Sequence, residues 1–306
     1  MEGLNPSVYD YIISKIPKDQ VLLNEEMKSH TTFRVGGPAD ALIKIGSPEQ
    51  LSVIIPFLNR TNIPYFIKGN GSNILVSDAG YRGVIIELSD CFNDIRIEGN
   101  TIEASAGAMM SAIAHRAMEN SLSGFEFASG IPGTIGGGVV MNAGAYGGEL
   151  KDVVTKVKVM NSDGEILMLN KEAMQFGYRN SIIKNRPFIV LSVTIELLEG
   201  CKESIKEKMD ELNAQRRTKQ PLEYPSAGST FKRPEGYFAG KLIMDCGLRG
   251  YSLGGAAVSE KHCGFVVNKH NACAADISEL ILDIIDRVDA KFGVTLEPEI
   301  IFLGKF

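Results

Sequence analysis

Two stretches decide how the chain is read: SGIPGTIGGG at residues 129–138, and the shorter GNGSN at 69–73. Glycine lets a backbone approach a ligand closely and take positive φ, and clustered N–H groups supply donors for a pyrophosphate. Taken alone, GNGSN also reads as a plain turn between strands. The second stretch shifts that balance, because glycines crowd the chain from Gly124 to Gly148. A loop this rich in glycine carries a large entropic cost unless it closes around something. A bound diphosphate accounts for both stretches. Neither matches a familiar nucleotide fingerprint: Ile74 stands where a dinucleotide motif beginning at Gly69 would need its third glycine, and GxxxxGK[ST] does not occur. Rossmann and P-loop readings therefore fail.

Outward from these loops, strands and helices alternate. Ala39 to Ile45 reads as a strand, and Ser47, Pro48 and Gln50 as a capping box opening a helix whose buried face is Leu51, Ile54, Ile55 and Leu58. Tyr65 to Lys68, Ile74 to Val76 and Val84 to Leu88 are further strands. A hairpin is expected over Ile95 to Ala106 about Gly99 and Asn100, then a helix with Met110, Ile113, Ala114, Ala117 and Met118 on one face. A second hairpin turns through Asn161 to Gly164, and a strand covers Phe188 to Leu198. Lys202 to Lys219 predicts a charged helix with a thin apolar stripe, leading into an extended segment at Pro221 and Pro225. Beyond it come a helix at Phe238 to Cys246, a strand at Phe265 to Val267, a helix from Ile277 to Phe292 capped by Asp276 and Glu279 and closed by Gly293, and a last strand over Val294 to Leu303.

Composition narrows the class. With 306 residues, 44% apolar and 23% charged, the chain has the make-up of a soluble globular protein of two or three units. A net charge of −5 supplies no general basic field, so nucleic acid is not an expected partner. The opening MEGLNPSVYDYIISK lacks the pattern of a secretory signal, and no apolar run reaches bilayer length, which points to a cytoplasmic protein without membrane insertion. Five widely spaced cysteines contain no CxxC. They read as reduced thiols. His262, Cys263, His270 and Cys273 offer zinc-type ligands at a spacing that fits no standard finger, so no metal is expected.

The motifs TTFRVGGPAD (31–40), KGNGSNILV (68–76), GIPGTIGGGVVMNAGAYGGE (130–149), FGYRNS (176–181), SAGSTFKRP (226–234), GLRGYSLGGAAVS (247–259) and LEPEI (296–300) stand in one order across nearly the whole chain. In that order they resemble the UDP-N-acetylenolpyruvoylglucosamine reductase family, in its shorter branch, since no tyrosine-bearing loop is inserted after FGYRNS. The resemblance implies an α+β chain: a two-subdomain FAD-binding fold of the vanillyl-alcohol-oxidase (PCMH) type over 1–200, with subdomains at about 31–93 and 94–200, then a substrate-binding α+β domain over 201–306. It implies FAD held on Gly69, Asn70, Gly71, Ser72 and Asn73, on Ser129, Gly130, Ile131, Pro132, Gly133, Thr134, Gly136 and Gly137, and on Asn142 and Ala143. Neither glycine loop contains His or Cys, so the flavin is expected to be non-covalent.

The implied reaction, in peptidoglycan precursor synthesis, is NADPH-dependent reduction of UDP-N-acetylglucosamine enolpyruvate to UDP-N-acetylmuramate. It needs a hydride at the β-carbon, stabilisation of enolate charge and a proton for the α-carbon. By resemblance Arg179 and Glu299 stabilise the enolate, Glu299 in its protonated form, and Ser229 delivers the proton. Read without the family, Ser229 is a loop hydroxyl, Glu299 an edge-strand carboxylate and Arg179 a surface residue. Lys219, Arg233, Arg249, Tyr146 and Tyr178 are the expected substrate contacts. The chain is expected to be a monomer or weak oligomer. The rival readings are an FAD oxidase or dehydrogenase of the same fold acting on an alcohol or sugar lactone, and a non-catalytic nucleotide-binding module.

Overall fold

A computed structural model describes residues 3–306. The chain gathers into two compact units, each assembled from separate stretches. One comprises the chain up to Leu23 with Ala41–Asn70 and Gly83–Arg216; the other comprises Asn24–Asp40, Gly71–Arg82 and Arg217–Phe306.

In the first unit, helix Pro48–Arg60 forms where the sequence places it. The Ser47 side chain accepts the Gln50 N–H at 3.4 Å, Pro48 opens the first turn, and Leu51, Ile54, Ile55 and Leu58 are fully buried. The reciprocal arm of the expected capping box is displaced: the Gln50 side chain accepts the N–H of Gly46, at 2.7 Å, one residue upstream of the cap. Strand Tyr65–Lys68 follows and pairs in parallel with Tyr81–Glu87, with Lys68 opposite Glu87. These two are neighbours at one end of a four-stranded sheet.

Both expected hairpins are present and share one antiparallel sheet, ordered Ile166–Asn170, Val154–Met160, Ile189–Glu196, Thr101–Ser105, Ile95–Glu98. Gly99, at φ +58°, makes the first turn, and Ile97 faces Ile102 across it. Helix Met110–Glu119 buries Met110, Ile113, Ala114 and Ala117 in the same core as Val157, Val193 and Ile195. Each large aliphatic side chain withdrawn from water there contributes about 1.5–3 kcal/mol. The charged helix spans Lys202–Lys219, and its thin stripe of Ile205, Met209 and Leu212 is buried.

The second unit has its own core, around Phe33, Leu75, Phe231, Ile243, Ile277 and Ile281. Ile301–Leu303 pairs in parallel with Ile74–Val76, and Ser252–Leu253, Ala256–Val258 and Val266–Asn268 form a small antiparallel sheet. The long helix starts earlier than its periodicity suggests, covering Ala274–Phe292. Cys273, not Asp276, is its N-cap: the Cys273 sulfur accepts the Asp276 N–H at 3.4 Å, and the Asp276 carboxylate accepts the Cys273 N–H at 3.1 Å. Asp78 accepts the N–H groups of Ala274 and Ala275. Gly293 ends the helix in the left-handed conformation, at φ +63°. Among the described residues, no helix is long and apolar enough to cross a membrane.

Candidate active site

The two glycine stretches touch within the first unit. Asn70 donates its side-chain N–H to the carbonyl of Pro132 at 2.7 Å, and a Cβ at Gly69 would land 2.1 Å from Thr134 Oγ1. Glycine is required there because the loops approach backbone to side chain. Thr134 caps the short helix Ile135–Val140, accepting the Gly137 N–H at 3.4 Å. Gly136 and Gly138 are buried: a Cβ on Gly136 would sit 2.8 Å from that of Ala106, and one on Gly138 2.9 Å from Leu150 and Met110. Gly137 is the exposed member of the run, and a Cβ on it would meet nothing nearer than Thr134 Oγ1 at 3.5 Å. It lies on a cleft walled by Ile67, Leu88, Val140, Ile183, Phe188 and Val190. Apolar walls suit a flat ring and a glycine floor suits a diphosphate, so the cleft has the lining chemistry for part of a flavin dinucleotide. His115 is exposed on its helix, away from the buried face.

One member of the cleft has no counterpart in the sequence reading. Lys68 is buried and paired with the equally buried Glu87, whose second oxygen accepts the Ser89 hydroxyl at 3.1 Å. Burial pulls the Lys68 pKa down, and the charge and hydrogen bond of Glu87 oppose that shift.

Asn142 is not on this surface. It is fully buried, donating to Glu149 at 2.9 Å and to the carbonyl of Gly177 at 3.0 Å while its side-chain oxygen accepts the Lys151 N–H at 2.9 Å. Both amide hydrogens are engaged inside the protein. Ala143 is buried beside it and donates its N–H to Gly138. These two residues therefore brace the loop from behind.

That bracing positions Arg179. The FGYRNS turn, closed by Gly177 against Asn180, is fastened to the segment 140–144 by three bonds. They are Asn142 to Gly177, the buried Ser181 hydroxyl to Val140 O at 2.8 Å, and Arg179 to Gly144 O at 3.4 Å. Arg179 itself sits at φ +50°, a conformation that costs a non-glycine residue about 1 kcal/mol or more and persists only where its surroundings enforce it. Its guanidinium lies 5.3 Å from the Tyr178 ring centre. Glu149, nearby, has its carboxyl held below the ordinary range, first by the Lys151 hydrogen bond, with Asn142 and the Arg179 charge adding to it. Tyr178 and Tyr146 are both exposed, Tyr146 also at positive φ.

In the second unit the backbone segments that carry Ser229 and Glu299 run side by side. Phe231 and Pro298 pair antiparallel. Around that bridge Glu299 donates its N–H to Thr230 O at 2.8 Å, and Lys232 donates its N–H to Glu297 O at 2.8 Å. An ion pair between Lys232 and Glu297 clasps the outer side. Ser229, next to Thr230, is exposed after Gly228 at φ +75°, and Glu299 is half-buried. Asn73, from the GNGSN stretch, donates its side-chain N–H to Glu299 O at 3.2 Å, while Gly71 accepts the Thr32 N–H. Arg179 belongs to the other unit.

Of the expected substrate contacts, Lys219, Arg233 and Arg249 are exposed, all in the second unit. Arg233 covers the Phe238 ring at 4.0 Å and donates to Tyr237 O. Arg249 lies against Met244 sulfur and opposes the rise that burial imposes on the Cys263 thiol pKa.

Two touching glycine stretches beside an apolar cleft are the features of a flavin-binding oxidoreductase domain. Residues 39–170 match the profile of the FAD binding domain, and residues 220–303 that of the UDP-N-acetylenolpyruvoylglucosamine reductase C-terminal domain. The chain is 52% identical over 301 residues to the UDP-N-acetylenolpyruvoylglucosamine reductase of Clostridioides difficile, covering 98% of this chain and 99% of that one. It is 54% identical over 290 residues to that of Caldanaerobacter subterraneus, covering 95% and 96%. The chain belongs to the UDP-N-acetylenolpyruvoylglucosamine reductase family. The crystal structure of the Thermus caldophilus reductase superposes with a TM-score of 0.79 at 36% identity, over 93% of this chain and 98% of that one. A glucose dehydrogenase, Phl p 4.0202, matches 64% of this chain and 44% of its own length with a TM-score of 0.50 at 13% identity, which shows shared fold alone.

Proposed function

We propose that the chain reduces UDP-N-acetylglucosamine enolpyruvate to UDP-N-acetylmuramate, with Arg179, Ser229 and Glu299 as its catalytic residues. The observation that supports the residue assignment is the antiparallel bridge between Phe231 and Pro298, across which Glu299 donates its N–H at 2.8 Å to the carbonyl of Thr230, the residue after Ser229. The bridge brings the backbone segments that carry Ser229 and Glu299, about seventy residues apart in sequence, side by side, which supports their working on one substrate. When bound, FAD supplies to the substrate β-carbon a hydride taken from NADPH. Arg179 and Glu299 stabilise the charge that develops on the substrate carboxylate as the enolate forms. Ser229 gives its hydroxyl proton to the α-carbon. Lys219, Arg233, Arg249, Tyr146 and Tyr178 bind the anionic and ring portions of the UDP-sugar. Gly69, Asn70, Gly71, Ser72 and Asn73, with Ser129 to Thr134, Gly136 and Gly137, hold the cofactor diphosphate non-covalently.

We assign FAD binding chiefly to the first unit, which runs to Arg216 instead of ending at 200, and substrate binding to the second, which adds Asn24–Asp40 and Gly71–Arg82 to the C-terminal residues. Both nucleotide substrates are cytoplasmic metabolites, so the enzyme works there, as a monomer or weak oligomer.

Ser229→Ala tests the assignment when the two half-reactions are followed separately without oxygen. NADPH should bleach the flavin at an unchanged rate, while re-oxidation by the enolpyruvyl nucleotide slows by about a hundredfold or more. Re-oxidation at the parent rate would remove Ser229 from the reaction.

A further inference from the structure

We propose that Arg216 is a further cofactor-binding residue, supplying the counter-charge to the FAD diphosphate on the second glycine stretch; the inference rests on the flavin reading above.

Helix Lys202–Lys219 lays Asn213 and Arg216, three residues apart and so on one face, against Gly130. A Cβ on Gly130 would lie 2.7 Å from Asn213 Oδ1, 2.9 Å from Arg216 Cδ and 3.6 Å from a terminal guanidinium nitrogen. Arg216 therefore rests on the backbone of SGIPGTIGGG, within the stretch that matches the FAD binding domain.

Among the described residues no carboxylate answers its charge. Upstream on the helix, Lys206 pairs with Asp210 and Lys208 with Glu211. The positions one turn from Arg216 are Leu212, Asn213, Lys219 and Gln220, none of them acidic. Arg216 has no hydrogen bond or ion pair among the described residues. Burial pulls its pKa down, opposed only by the Tyr146 phenol. Two other guanidiniums do meet carboxylates, Arg82 with Asp40 at 2.8 Å and Arg287 with Asp283 at 2.9 Å.

A partly buried guanidinium without a partner is destabilising unless an anion arrives. Its fork donates two parallel N–H groups to phosphate oxygens, and the stretch it touches is the one whose glycines leave room for a diphosphate. The helix that closes the first unit thus brings the cation that the glycine loops themselves lack.

Arg216→Met removes the charge and keeps the stem, and Arg216→Lys keeps the charge and loses the fork. FAD affinity is read by flavin fluorescence on full-length protein stripped of flavin, at low and high salt, beside the melting temperature of the stripped protein and the KM for the enolpyruvyl nucleotide. The Met variant should bind FAD at least about tenfold more weakly, with a shallower salt dependence, and the Lys variant should fall between. The stripped Met variant should melt at or above the parent temperature, because an unmatched charge is gone. Unchanged FAD affinity in the Met variant overturns the proposal. So does weaker FAD binding accompanied by a lower melting temperature, which marks a structural arginine, or a raised KM with unchanged FAD affinity, which assigns the cation to the substrate. A parent protein that binds no FAD would instead bring down the flavin reading itself.

Discussion

Lys68 and Glu87 show how one pair of residues ties fold to site. They face each other in parallel register at the ends of two strands, both buried, with Lys68 on the wall of the flavin cleft. Each charge is tolerable there only because the other is present. Glu87→Gln should therefore lower stability by about 3–5 kcal/mol, whereas replacing both residues together by Leu should restore most of it. Urea unfolding of the two variants and the parent checks this, and a single variant as stable as the parent would show that Lys68 finds another counter-charge. The pair was invisible in the sequence, where Lys68 is one polar letter before GNGSN and Glu87 one after an apolar run. Charge pairing across a sheet is a matter of register, and register is not written in either segment.

At the scale of elements, the helix Ala274–Phe292 makes the same division. Its apolar period and its closing Gly293 were legible, because both are local. Its start was not, because the first turn is satisfied from outside: Asp78, 196 residues upstream, takes two of its N–H groups. The Asp276 carboxyl is held below the ordinary range, chiefly by the Gly255 N–H and then by that of Cys273. Its folded pKa lies under the unfolded value of about 3.9, so the stabilisation is fully present above pH 4 to 5 and is lost as pH falls through the folded pKa. Asp276→Asn should lower stability by about 1 kcal/mol at pH 7 and flatten the acid limb of the stability curve. Urea midpoints at pH 7 and pH 3 test it; parallel curves for variant and parent would contradict it. Gly254, whose Cβ would meet Asp276 at 2.0 Å, explains why the GLRGYSLGGAAVS motif carries glycine opposite this cap.

For the whole molecule, the motifs gave chemistry more readily than boundaries. Seven short segments in order point to one family, and the relatives bear that out across the full chain. Periodicity located most strands and helices because side-chain alternation is a local property. It could not place Asn24–Asp40 and Gly71–Arg82 with the C-terminal residues, since Ile74–Val76 pairs with Ile301–Leu303 across more than two hundred residues. Of the proposed site, the glycine loops and the FGYRNS, SAGSTF and LEPEI segments were legible as motifs. The scaffold that aims them was not: Asn142 and Ser181 tying down the Arg179 turn, Lys232 and Glu297 clasping the strands of Ser229 and Glu299, and Arg216 on Gly130. Those contacts join positions that no spacing relates.

The central claim is that this chain carries flavin as its working cofactor and passes its electrons to an enolpyruvyl nucleotide. Anaerobic visible spectroscopy of the purified protein measures it in one cuvette. A yellow protein should bleach with NADPH and regain its colour on adding UDP-N-acetylglucosamine enolpyruvate, with one equivalent of UDP-N-acetylmuramate formed per flavin. A colourless protein, or a bleached one that the nucleotide leaves unchanged while oxygen re-oxidises it rapidly, would contradict it.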